Sequence, residues 1–164
     1  MTTPAIFRET HAAASAEMAL MLPMLLVLLF GGFEVGYFMW CEHKVVEAVR
    51  NGARYAARLP FSEICPAPST AAATNIKLMT RTGQIDNSSA TPLIPGWTLE
   101  SQVSVSCETF LTSGIYTGTP TGTTKTAVRV KVQNLAYPSL FQSLGVIDSS
   151  VNLSASASTA VIGI

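Results

Sequence analysis

"AAASAEMALMLPMLLVLLFGGFEVGYFMWC", residues 12–41, decides the fold. From Met18 to Phe33 no side chain is charged or strongly polar, and the apolar character resumes from Val35 to Cys41. At about 1.5 Å per residue, roughly 20 helical residues cross the ~30 Å hydrocarbon core of a bilayer, so the stretch predicts a membrane-spanning helix. Tyr37 and Trp40 fall where an exit-side aromatic belt sits, with apolar rings in the lipid interface and polar tips in water. Pro23 removes one backbone donor inside the span and is expected to kink it or loosen a turn, which membranes tolerate. A cleaved secretory signal is the rival reading, with Arg8 as its basic region. It lacks a cleavage site, because no A-x-A-like stretch follows the apolar core and the helical pattern continues past it.

Beyond the span, "CEHKVVEAVRNGARYAARLP" keeps the helical period. Val45, Val49, Ala53, Ala56 and Leu59 form one stripe; Glu47, Asn51, Arg54 and Arg58 form the other. Arg50, Arg54 and Arg58 repel one another mildly at i,i+4 but suit the negative end of a helix, and Pro60 stops it. One unbroken helix of about 45 residues is predicted, half in lipid and half offering an apolar stripe to a soluble domain.

That domain occupies residues 61–164. "PAPSTAAATNIKLMTRTG" predicts a short second helix, with a Ser/Thr cap at its start, Ile76 and Met79 on one side, and Gly83 closing it. "WTLESQVSVSCETFL" alternates Leu99, Val103, Val105, Cys107 and Leu111 against Glu100, Gln102, Ser104, Ser106 and Glu108, the period of a half-buried strand. "KTAVRVKVQ" turns Val128, Val130 and Val132 inward and Arg129 and Lys131 outward. A Gly/Thr/Pro loop at 112–124 joins these two, and "SVNLSASASTAV" supplies a last strand with Val151, Leu153, Ala155, Ala157 and Val161 inward. The fold class is therefore α+β: a long N-terminal helix, a short second helix and an antiparallel sheet of about three to four strands laid on the outer half of the long helix.

Composition narrows the function. Of 164 residues, 48% are hydrophobic and 12% charged, with ten acids against ten bases, a balance that argues against a nucleic-acid partner. His11 precedes the span and His43 lies at its exit, and no histidine lies in the domain. There is no G-x-S-x-G, no phosphate loop, no paired acids at a recognisable spacing and no CxxC, so neither an enzyme nor a metal or other cofactor is expected. Asn87-Ser88-Ser89 and Asn152-Leu153-Ser154 match glycosylation acceptors, as a Ser-rich chain does by chance. Cys65 and Cys107 either close a loop of about 42 residues, worth about 4 kcal/mol as a disulfide, or stay as two buried thiols; the bridge is the favoured reading. Cys41 reads as a small apolar helix residue at the membrane exit.

Three stretches together resemble the TadE-like family, membrane-anchored minor pilins (pseudopilins) of the tight-adherence pilus machinery. They are the Ala-rich entry "AAASAEMALMLPMLLVLLF", the Gly-x-x-Glu-x-Gly step of Gly31, Glu34 and Gly36, and "RNGARYAAR" at residues 50–58. The tail from "AYPSLF" onward is similar more loosely, and residues 60–125 carry no assigned motif.

The resemblance implies a pilin-like fold and a prepilin peptidase that removes a leader, residues 1–12, so that an acid becomes fifth in the mature chain. Counting back from Glu17 puts the cut between Ala12 and Ala13, with Ala12 where such leaders usually carry Gly. It then implies a transmembrane helix at 13–41, its amphipathic continuation at 42–60 and a periplasmic domain at 61–164. The implied partners are other minor pilins, major pilin subunits, the peptidase and the assembly platform of the inner membrane. The implied task is pilus assembly through the N-terminal helix; a stand-alone membrane-anchored adhesin using loop 112–124 is the alternative.

Within that frame Glu17 pairs with the new amine of a neighbouring subunit, against the simpler reading of an acid marking the lipid boundary. Glu34, about 26 Å further along the helix, either is solvated at the far interface or pairs with a partner's base. Positive-inside counting opposes a cytoplasmic N-terminus, since Lys44, Arg50, Arg54 and Arg58 follow the span and only Arg8 and the amino terminus precede it. The cytoplasmic assignment is kept because the following domain is longer than the loops that rule governs, because two of its cysteines suit an oxidising compartment, and because the resemblance requires it.

Overall fold

The computed structural model describes residues 6–85, 89–98, 100–111, 124–143, 145 and 151–162. The 112–123 part of the connecting loop, the first five residues and the Asn87-Ser88 pair lie outside the described residues. Contacts divide the chain into two units, Met1–Phe38 and Met39–Ile164. The architecture is α+β, as expected.

Helix α1 runs from Ile6 to Arg58 as one element of 53 residues, with Pro23 inside it. Its last turn tightens where Leu59 N–H donates to the Ala56 carbonyl at 3.2 Å, and Pro60 then opens the four-residue helix α2, Phe61–Ile64. From Met39 onward α1 is two-faced. Cys41, Val45, Ala48, Val49, Ala53, Ala56 and Ala57 are buried, while Glu42, His43, Glu47, Arg50, Arg54 and Arg58 are exposed. Leu59, expected on the buried stripe, is half-buried because it stands past the end of α1.

The buried face is made of small residues for a reason visible at Gly52. A Cβ there would collide with the Thr80 hydroxyl and come within 3.3 Å of its Cβ and 3.6 Å of Val130 Cγ1. Gly52 is thus where α1 meets α3 (Thr70–Thr82) and strand β2 (Thr124–Ala136). Thr80 is fully buried and stays satisfied by donating to the Ile76 carbonyl at 2.7 Å, as Thr82 does to Leu78 at 2.8 Å.

The caps of α3 are those its sequence calls for. The Ser69 hydroxyl accepts from Ala72 N–H at 3.2 Å, and Gly83 ends the helix at φ 76°. Its core face is Ala72, Ile76, Leu78, Thr80 and Thr82; Met79 is half-buried, because the tight site opposite Gly52 takes a threonine and has no space for a longer chain.

Three antiparallel strands form the sheet in the order β1 (Val103–Leu111), β2, β3 (Asn152–Ala160). Strand β1 is Val103–Leu111; Glu100–Gln102, expected within it, form a 3-10 turn instead, and Leu99 lies outside the described residues. Central β2 buries Val128, Val130 and Val132 completely. Its alternation then breaks. Gln133 and Asn134 face one residue of β3 (Asn152–Ala160), with Asn134 at φ 54°, so that both Val132 and Leu135 reach the core. A bulge shifts the phase of a strand by one residue in this way, and asparagine tolerates the left-handed conformation it requires. The Asn134 carbonyl accepts from Gln102 Nε2 at 2.9 Å.

Strand β3 buries Leu153 and half-buries Ala155, Ala157 and Thr159. Val151, expected inward, is 48% exposed: its carbonyl accepts from Tyr137 N–H, but its side chain precedes the strand. Ile64 and Ile94, and Trp97 at the head of the stretch read as a strand, also fill the core. Short α4, Leu140–Ser143, follows β2.

Replacing Ala53 by Asp in the full chain should lower the stability of the domain by about 3 kcal/mol or more, since it buries an unpaired charge. Gly52→Val should cost about 1–3 kcal/mol by overpacking against Thr80. Arg54→Asp, on the exposed face, should stay within about 0.5 kcal/mol. Urea unfolding in mild detergent, followed by the fluorescence of buried Trp97, ranks the three; equal losses at Ala53 and Arg54 would overturn the assigned faces.

Candidate functional site

Every residue from Ala13 to Phe30 is exposed within the chain, including Leu20 at 80% and Val27 at 72%. Fifteen large apolar side chains between Met18 and Trp40 are exposed in this way. Leaving them in water forgoes on the order of 20 kcal/mol of transfer free energy. Residues from Ala13 onward belong to a helix long and apolar enough to cross a membrane, and none of its most apolar window is buried against the chain itself. The surface awaiting a neighbour is therefore α1's N-terminal half.

The two acids lie on this helix. Glu17 is exposed at its entry, and Glu34 is half-buried near its exit. Seventeen residues separate them, about 26 Å along the axis and about 100° around it. They do not share a stripe, so one straight neighbouring helix does not meet both. Ala13 is exposed one turn before Glu17, and Ala12 lies in the same helix. Around Gly31, Gly32 and Gly36 the space a Cβ would take is open, and Gly32 and Gly36, four apart, leave a smooth strip of backbone on one side.

Just beyond the span the helix surface turns polar. His43, Glu47, Arg50, Asn51 and Arg54 line a shallow depression, in which Glu47 is held by Lys44 at 3.0 Å. Among the described residues no group of three or more His, Cys, Asp or Glu side chains is placed to hold a metal. Asn152, of the second glycosylation match, is the exposed first residue of β3.

Of the residues singled out from sequence, the two cysteines of the domain are brought together. Cys65, after α2, and Cys107, on β1, form a disulfide with their Cα atoms 5.6 Å apart. Cys41 is in no disulfide and is fully buried. Sequence reading passed over Gly52 as a packing residue. The available signal was a glycine in mid-helix, a position where it costs about 1 kcal/mol against alanine and so points to a close approach.

Among the described residues one helix is long and apolar enough to cross a membrane and is exposed over its apolar stretch, and a small disulfide-linked α+β domain follows it; this fits the class of proteins with a single-pass membrane anchor. Residues 12–54 match the family model described as TadE-like protein, so the chain carries a TadE-like N-terminal region. The match points to an association with the Tad pilus. No curated protein and no solved structure matches the chain.

Thiol labelling tests the cysteine arrangement. In detergent without reductant none of the three cysteines should label quickly. Denaturation alone should expose one thiol per chain, at Cys41, and reduction two more, at Cys65 and Cys107. Three thiols reacting before reduction would rule the bridge out.

Proposed function

We propose that this protein is a minor pilin, or pseudopilin, that takes part in assembly of a tight-adherence pilus through its N-terminal helix. The observation that carries the reading is the exposed apolar helix from Ala13 onward, with Glu17 at its entry, inside the segment that matches the TadE-like model. On this reading a prepilin peptidase cuts between Ala12 and Ala13. The N-terminus is cytoplasmic, the span lies in the inner membrane and the domain is periplasmic. Other minor pilins, major pilin subunits and the assembly platform are its partners.

Glu17 then has a physical task. In hydrocarbon, helices gain no hydrophobic free energy by associating, so packing and polar pairs decide which helices meet and at what axial offset. A carboxylate near the membrane face is costly alone and is stabilised by an amine held beside it. The α-amine created at Ala13 of a neighbouring subunit is such a partner. Glu34, about 100° away around the helix, faces a different neighbour or the far interface.

Mass spectrometry of the mature N-terminus should find Ala13 as the first residue. Glu17→Gln, which keeps shape and removes charge, should leave membrane insertion intact and reduce co-purification with pilin partners and piliation by about tenfold; Glu34→Gln should have a milder effect. Normal piliation with Glu17→Gln would leave the acid as a marker of where lipid begins.

A further inference from the structure

The exposed face of α1 beyond the span carries Arg50, Arg54 and Arg58 at i, i+4 and i+8, all exposed, over about 12 Å of helix. Among the described residues the ion pairs are Lys44–Glu47, Arg81–Glu100 and Arg129–Glu108, and none includes these three arginines. Glu47, one turn before Arg50, is turned to Lys44. Three like charges in one row repel one another slightly, the helix C-terminus offsets part of this, and no acidic side chain among the described residues forms an ion pair with them. The opposite face of the same turns is locked into the core through Val49, Ala53, Ala56 and Ala57. The guanidinium groups thus stand on a backbone already fixed, so little further order is lost when a carboxylate meets them.

We infer that this arginine row is a docking surface for an acidic protein helix, one that presents carboxylates about one turn apart. Two features favour a protein over lipid. Arg50 lies about 14 Å along the axis beyond Cys41 and Arg58 about 26 Å, whereas a headgroup layer is only about 5–8 Å thick. The spacing of the row also repeats with the helical turn, so an acidic helix lying along it meets all three groups, each carboxylate able to take two N–H donors of one guanidinium. The inference is separate from the role proposed for Glu17: its failure would leave that reading untouched.

The test uses the full chain in nanodiscs of zwitterionic lipid and, as probe, a labelled Ala-rich helical peptide with glutamates at three positions four residues apart. Fluorescence anisotropy at about 50 mM salt should register binding that weakens as salt rises. The triple change Arg50→Gln, Arg54→Gln, Arg58→Gln should weaken it at least about tenfold, with Arg54→Gln alone giving a smaller loss in the same direction. Lys77→Gln with Lys131→Gln, elsewhere on the domain, should leave it unchanged. Reversing the row to glutamate should transfer binding to the matching peptide with lysines. Unaltered binding by the triple variant, provided its melting is that of the wild type, would overturn the inference; should the triple variant not fold, unaltered binding by Arg54→Gln decides against it equally. Loss of peptide binding in nanodiscs of anionic lipid at the same salt would overturn it in favour of headgroups as the occupant.

Discussion

The approach of α1 to Thr80 and Val130 at Gly52 is the contact on which the rest of the domain depends. A helix with leucines at those positions would bury more area per residue, but its axis would stand further from α3 and β2. Glycine and alanine let the backbones come close, so that attraction is gathered from many short contacts. The polar atom at the closest point needs no water, because the Thr80 hydroxyl is bonded within its own helix to the Ile76 carbonyl. The Cys65–Cys107 bridge ties the end of α2 to β1, and the Ile162 N–H donates to the Ala57 carbonyl at 3.0 Å, tying the end of the sheet to the end of α1.

That packing makes the two halves of α1 different chemical objects although the helix is continuous. From Met39 onward the apolar residues are confined to one face, which the chain itself covers. Before that they surround the helix, and from Ala13 to Phe30 the chain leaves every one of them exposed. A helix apolar all round requires an apolar solvent or partners on every side. In such a solvent polar groups are the costly ones, and between Ala13 and Phe38 the acids are Glu17 and Glu34. Past the span the ranking reverses: water surrounds the exposed face, apolar contacts are already used on the buried one, and charge is what remains to distinguish a partner.

What the sequence determined by itself was whatever depends on period and local chemistry. The span follows from length and apolarity, the faces of α1 beyond Cys41 from the 3.6-residue period, the limits of α3 from Ser69 and Gly83, and β2 from strict alternation of valines with Arg129 and Lys131. The TadE-like region was legible in residues 12–54 because its motifs lie on that one regular helix. Tertiary structure alone decided the rest. Thr80 rather than Met79 occupies the core because Gly52 leaves room only for a short side chain there. Leu135 is buried because a bulge at Asn134 shifts the phase of β2, and a register change is a relation between two strands that neither announces alone; Val151 is exposed because β3 begins only at Asn152. Ile94 comes from a segment without periodicity, so its burial follows from the shape of the space left between helix and sheet, which exists only once the fold has closed.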